Sequence, residues 1–168
     1  VEPDTLKKAV RLLWGADGSF SDLPPVDEYV EDSLPGSIRV ACASNNGEVL
    51  DGHFGSCERF LIYQLTPDES RLIAIRPTLE ADYAEDRNAA RASLIADCDV
   101  LCIQSIGGPA AAKVVRASVH PVKVPRPEAA RAVVARLQAA LRQPPPWLAK
   151  VMGVPARSLE RFAGIEDC

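Results

Sequence analysis

The sequence predicts an α/β fold built on one mixed five-stranded sheet flanked by helices. Three runs rich in β-branched and aromatic residues follow one another between residues 38 and 76, with no helical run between them. After residue 87, short apolar runs alternate with segments of helical periodicity. A strand–helix–strand unit joins two parallel strands through a right-handed crossover. A three-strand meander is therefore expected to continue into a parallel half.

Five segments have the composition of strands, and the residues of the last two indicate where those strands lie in the sheet. The fourth is a continuous apolar run, which is typical of a strand buried on both faces. The fifth contains Pro121, which lacks a backbone donor and predicts an edge strand. The five predicted strands are residues 38–43, 58–65, 71–76, 99–103 and 120–124.

Helices are predicted between and after the later strands. Asn88 is a good N-cap for a helix over 88–96, and Pro109 suits the first turn of a helix over 110–117. A third helix is expected to start at Pro127, and a short one is expected over 156–162. This order of strands and helices is ribonuclease H-like.

Composition shifts divide the chain into three parts. Residues 1–37 are rich in proline and acidic side chains, which indicates an arm or linker; the alternative is a segment packed across the core through Trp14, Phe20 and Tyr29. Residues 38–152 are the expected core domain, and 153–168 are a tail. Because the chain opens with valine, we expect an upstream domain to be missing.

The totals exclude several classes of protein. The chain has 168 residues, of which 47% are hydrophobic and 25% charged, as in an ordinary globular protein. A net charge of −4 without a basic block argues against nucleic-acid binding. No apolar run reaches the length of a membrane span, and no secretory signal is present. The odd count of five cysteines favours reduced thiols, so we expect a cytoplasmic protein.

Two loops follow the carboxyl ends of predicted parallel strands, where α/β sheets bind ligands. The first, residues 44–57, contains His53 and Cys57, which are both soft enough for iron, copper or zinc. The second, residues 105–109, has Gly107 and Gly108 opening a helix, which favours an anion. If the two strands are neighbours, both loops lie on one rim of the sheet.

Each of these features has a simpler interpretation. A single histidine in a polar loop is usually only solvated, and two histidines cannot build a metal site by themselves. A diglycine is more often only a tight turn, and Cys57 can equally point inward. Cys42, Cys98 and Cys102 lie in apolar runs and are expected to be buried. Ser44 has no visible His–Asp partners, so a hydrolase triad is not supported.

Several motifs in order resemble one known family. They are Ile38 to Ser44, then DGHFG at 51–55, FLIY at 60–63, DCDVLCIQSIGGP at 97–109, HPVKV at 120–124 and PPPWLAK at 144–150. Together they are similar to the dinitrogenase iron–molybdenum cofactor family, the NifX/NifY/NafY group. The match covers residues 38–142, and it is most like the core domain of the longer, NafY-type members.

The resemblance implies a carrier rather than an enzyme. Such proteins bind the iron–molybdenum cofactor or its iron–sulfur precursor, and their expected partners are apo-dinitrogenase and cofactor-assembly proteins. The family's cluster-binding histidine falls on His53, with Cys57 as a candidate second metal ligand. Ser44, Asn45, Gly107 and Gly108 complete the expected cofactor-binding set.

The chemistry of metal clusters agrees with a carrier, and the sequence leaves two alternative functions open. A cluster with its own bridging sulfides needs few protein ligands, and one imidazole can hold it while leaving it transferable. The first alternative is a protein-binding module that stabilises apo-dinitrogenase through an exposed Trp147–Leu148 and the acidic segment 27–32. The second is a binder of small anions that uses only the glycine turn.

Overall fold

The sheet of this protein combines an antiparallel half with a parallel half. In the computed structural model, residues 23–31, 33–34 and 36–152 are described. The strands are β1 (Ile38–Ser44), β2 (Val49–Leu50), β3 (Arg59–Leu65), β4 (Ser70–Pro77), β5 (Val100–Ile103), β6 (His120–Lys123) and β7 (Glu128–Ala129). The helices are α1 (Arg87–Leu94), α2 (Gly108–Arg116), α3 (Ala130–Ala140) and α4 (Pro146–Met152), with a 3₁₀ helix at Leu79–Tyr83.

The strand order of the main sheet is β4-β3-β1-β5-β6. β1 and β4 both run antiparallel to β3, whereas β5 runs parallel to β1 and to β6. The predicted meander and parallel half are therefore confirmed, and β6 is an edge strand as Pro121 indicated. The narrower comparison with ribonuclease H stays a prediction.

Helices cover both faces of the sheet, which explains why β5 is apolar throughout and why β1 is apolar from Val40 to Ala43. Val40 and Cys42 point into a core closed by α3 and α4. Ala41 and Ala43 point into a second core, closed by α1 and α2. Cys42, Cys98 and Cys102 are buried, as expected. Alternate residues of one strand thus reach opposite cores.

Three predicted helix starts differ from the structure, and α2 begins at Gly108 rather than at 110. α1 begins at Arg87, and its N-cap is Asp86, whose carboxylate accepts a hydrogen bond from the backbone N–H of Ala89 at 3.0 Å. Asn88 therefore lies inside the first turn. α3 begins at Ala130 rather than Pro127, because Glu128–Ala129 pairs as β7 with β2. That pairing joins Val49 to Ala129 and Leu50 to Glu128, which are far apart in sequence. A strand of two residues is too short to show a periodicity by which it could be predicted.

The segment before β1 contacts the core where the structure describes it. The backbone N–H of Asp27 donates to the carbonyl of Leu72 at 2.8 Å, and the N–H of Leu72 donates back to the Asp27 carboxylate at 2.9 Å. Arg131 on α3 bonds the same carboxylate at 3.2 Å. Asp27 is therefore joined to the core by three hydrogen bonds, and the division of the chain into an arm, a core domain and a tail stays a prediction. Trp14, Phe20 and the helix expected over 156–162 lie outside the described residues.

The expected exposed surface at Trp147–Leu148 is wrong. Leu148 is fully buried on the side of α4 that faces the core, and Trp147 is only partly exposed. The Trp147 ring stacks on the imidazole of His120, with 4.4 Å between ring centroids. Within the residues that the structure describes, no helix has both the length and the apolar character needed to cross a membrane.

Candidate functional site

The loops that follow β1 and β5 are hydrogen-bonded to each other. The backbone N–H of Gln104 donates to the carbonyl of Gly52 at 2.9 Å, and the N–H of Phe54 donates to the carbonyl of Ser105 at 2.9 Å. Because β1 and β5 are parallel neighbours, their carboxyl ends meet at one edge of the sheet. The structure therefore brings the two loops to a single rim.

His53 stands at the junction of these loops. Its side chain is exposed, and Nδ1 lies 2.7 Å from the hydroxyl oxygen of Ser105. When Nδ1–H donates to that oxygen, the lone pair of Nε2 is free to bind a metal. Sequence reasoning placed Ser105 in the second loop but gave it no role, because nothing local predicts a contact across 52 residues.

The backbone holds His53 outward while its neighbour points inward. The carbonyl of His53 accepts hydrogen bonds from the N–H groups of Ser56 and Cys57, which closes a tight turn. Phe54 is fully buried and packs against Phe60, with 5.9 Å between ring centroids. The aromatic side chain thus anchors the turn, and the imidazole is left on the surface.

Cys57 does not share this surface. Its side chain is fully buried, and its Sγ lies 3.9 Å from the carbonyl oxygen of Phe54 and 3.5 Å from Nη1 of Arg91. Burial raises the pKa of the Cys57 thiol to about 11, although the nearby Arg91 guanidinium opposes that shift. A metal–thiolate bond here requires the turn to open, so the structure does not bring Cys57 and His53 together as two ligands.

Replacing Cys57 with alanine is expected to leave metal-cluster binding at the wild-type level. With a pKa of about 11, the thiol is ionised in about one molecule in 1,000 at pH 8, and it is closed to solvent. Alkylation at pH 8 followed by peptide mass spectrometry should leave Cys57 of the folded protein unmodified. Loss of cluster from Cys57→Ala, in a variant that stays folded, would instead make the thiol a ligand.

Ser44 and Asn45 use their polar atoms within the first loop. Ser44 is fully buried, and its hydroxyl makes only long contacts, 3.4 and 3.5 Å, with the carbonyls of Asn46 and Gly47. The side-chain carbonyl of Asn45 accepts from the N–H of Glu58 at 2.9 Å, and its amide donates to the carbonyl of Asp51 at 3.2 Å. Both residues therefore shape the loop, and their role as cofactor ligands stays a prediction.

Gly107 and Gly108 leave the rim open at the start of α2. Both are exposed, and a Cβ added at either position meets no atom within 4 Å. Gly107 is the N-cap, so the first N–H groups of α2 have no partner inside the helix and lie at its positive end. α2 begins three residues after Ser105, which contacts His53, so the start of the helix lies on the same rim.

The described residues include no group of three or more His, Cys, Asp or Glu side chains arranged to hold a metal ion. The rim offers one exposed imidazole and the open start of a helix. That donor set suits a preassembled metal cluster, which brings its own bridging ligands, better than a single ion.

Comparisons with known proteins identify the family of this chain. A family model described as dinitrogenase iron-molybdenum cofactor matches residues 36–140. Protein NifY of Azotobacter vinelandii is 54% identical over 160 residues, which is 94% of this chain and 66% of NifY. Protein NifX of Sinorhizobium fredii (strain NBRC 101917 / NGR234) is 35% identical over 143 residues, which is 80% of this chain and 89% of NifX. The chain thus spans about two thirds of that NifY and most of that NifX.

A solved structure, that of PH0822, shares the fold. It superposes with a TM-score of 0.51 at 13% identity, over 61% of this chain and 92% of the other. A likeness at that identity concerns the fold alone, and the family rests on the sequence matches. The chain belongs to the dinitrogenase iron-molybdenum cofactor family.

Proposed function

We propose that this chain is a carrier, not an enzyme, for a nitrogenase metal cluster. Its cargo is the iron–molybdenum cofactor or the iron–sulfur precursor of that cofactor. The chain holds the cluster through His53 and assists its insertion into apo-dinitrogenase, with cofactor-assembly proteins as further partners. A cytoplasmic location belongs to the same proposal, and the four buried free cysteines among the described residues support it.

One observation carries the proposal: the exposed imidazole of His53 is held by Ser105 at the junction of two loops. Oriented metal-bound imidazoles commonly donate their second ring N–H to a fixed oxygen. A single imidazole makes one bond to the cluster, so the cluster remains transferable. The N–H groups at the start of α2 suit the negative charge of the cargo.

Anaerobic titration of the purified chain with isolated iron–molybdenum cofactor tests the proposal. Gel filtration followed by metal analysis should show iron and molybdenum eluting with the protein. Absence of both metals from the protein peak would contradict carriage. A pull-down with apo-dinitrogenase would then decide whether the chain is instead a protein-binding module; capture without any cluster would support that alternative.

Replacing Ser105 with alanine is expected to weaken cluster binding about tenfold without abolishing it. The variant keeps the imidazole but removes the hydroxyl 2.7 Å from Nδ1, so His53 loses its fixed orientation. Titration of the variant beside wild type measures the change. Ser105→Thr keeps a hydroxyl and is the matched control. Equal affinity in Ser105→Ala and wild type would show that the hydrogen bond does not serve binding.

A further inference from the structure

Beneath the His53 turn lies a buried arginine that neither the sequence motifs nor the proposed function uses. Arg91, on α1, is 1% exposed. Its Nη1 donates to the carbonyl of Phe54 at 2.9 Å and to the carbonyl of Cys57 at 3.0 Å. These two carbonyls bracket the turn immediately after His53. One guanidinium nitrogen thus fixes both ends of a four-residue stretch.

A single carboxylate orients this guanidinium. Asp82, in the 3₁₀ helix, accepts from Nε of Arg91 at 3.1 Å and from Nη2 at 2.8 Å. The hydrogen bond from Arg91 is the main reason why the pKa of Asp82 is lowered, and it favours the charged carboxylate. A buried guanidinium without such a partner is strongly unfavourable.

A second arginine, Arg87, binds the same carboxylate and the same turn. Arg87 also bonds the Asp82 carboxylate, at 3.1 Å, and its Nη2 donates to the carbonyl of Gly55 at 3.0 Å. Three backbone carbonyls of the turn are therefore held by two arginines that share one carboxylate.

We infer that Asp82 and Arg91 are positioning residues for His53: they set the direction of the imidazole by holding the backbone that follows it. The inference rests on the proposed function, because its purpose is to present the imidazole to a cluster. Among the described residues, the His53 side chain has one hydrogen-bonding partner, Ser105, so the rest of its orientation comes from the backbone of its turn. Without Arg91, the buried carbonyl of Phe54 keeps only a 3.9 Å contact from the Cys57 thiol, while the carbonyl of Cys57 keeps the hydroxyl of Thr78 at 2.7 Å. The Phe54 end of the turn, next to His53, is therefore expected to rearrange.

Arg91→Met is the principal test, because methionine has a similar length and no donor. The chain has two histidines, so the ring nitrogens of His53 are readily assigned in long-range ¹H–¹⁵N spectra of the cluster-free protein. In wild type, the bond to Ser105 should give two well-separated nitrogen shifts. In Arg91→Met, the two shifts should move toward each other as the orientation is lost, and cluster affinity should fall about tenfold.

Arg91→Lys separates geometry from charge. Lysine keeps the positive charge, and it can donate to the turn without the fork that also engages Asp82. We expect it to restore part of the His53 signals and part of the affinity. Arg142→Met is the matched control. Arg142 donates to the carbonyl of Pro67 and to the carboxylate of Asp68, in the turn that follows β3 at the end away from His53. It should leave both readouts unchanged.

The outcomes distinguish this inference from the proposed function. Unchanged His53 spectra in folded Arg91→Met would overturn the inference, whatever happens to the cluster. Altered spectra, together with a wild-type chain that retains no cluster, would overturn the carrier and leave the positioning role standing. If Arg91→Met does not fold, Asp82→Asn replaces it, since it keeps the shape of the carboxylate; wild-type His53 spectra in Asp82→Asn would also overturn the inference.

Discussion

Replacing His53 with alanine is expected to abolish retention of the iron–molybdenum cofactor, with an affinity loss of more than about 100-fold. Removing a residue that only orients a metal ligand costs about 10- to 100-fold, so removing the ligand itself should cost more. The described part of the rim holds no second exposed histidine, and the Cys57 thiol is buried below it. The measurement is anaerobic titration read by metal analysis of the protein peak. Protein stability should change little because the His53 side chain is exposed.

His120→Ala is the matched control for that experiment. His120 is the other histidine of the chain, and it stacks on Trp147 rather than facing the rim. Its removal should leave cluster retention at the wild-type level, with a modest loss of stability from the broken stack. Equal retention by wild type and His53→Ala would move the site elsewhere. Capture of apo-dinitrogenase should survive in His53→Ala, which separates carriage from partner binding.

The sheet was predictable because the residues that indicate each strand lie within that strand or next to it in the sequence. A continuous apolar strand predicts burial on both faces, and alternation of strands and helices predicted β5 and β6 as parallel neighbours. The topology suggested β1 as the other neighbour of β5, and the parallel pairing of β1 with β5 confirms it. That placement was enough to expect the loops of His53 and Gly107 on one rim. Whether His53 binds a cluster stays a prediction.

The remaining features depend on contacts between residues distant in sequence. Ser105 reaches His53 across 52 residues, and Arg91 reaches Phe54 across 37. Neither contact leaves a local pattern, since a serine at a strand end and an arginine on an amphipathic helix are ordinary. The helix cap at Asp86 was missed for a different reason: two good capping residues lie two positions apart, and only the bond to Ala89 distinguishes them.

Replacing Gly52 with alanine is expected to lower the free energy of unfolding by about 1–3 kcal/mol, the usual cost of overpacking a close-packed site. A Cβ at Gly52 would lie 2.6 Å from the Cβ of Cys57 and 3.0 Å from the backbone carbonyl carbon of Ala43. Neither neighbour is the end of a flexible side chain, so the backbone must move. Urea denaturation of the purified variant measures the change.

The same substitution should also weaken cluster binding, because the backbone that must move carries His53. The carbonyl of Gly52 accepts from Gln104, which is one of the bonds that join the two loops. Gly55→Ala is the matched control, since a Cβ there meets no atom within 4 Å, and it should leave stability and binding near wild type. Wild-type stability in Gly52→Ala would mean that the turn adjusts without cost and that its close packing does not hold His53 in place.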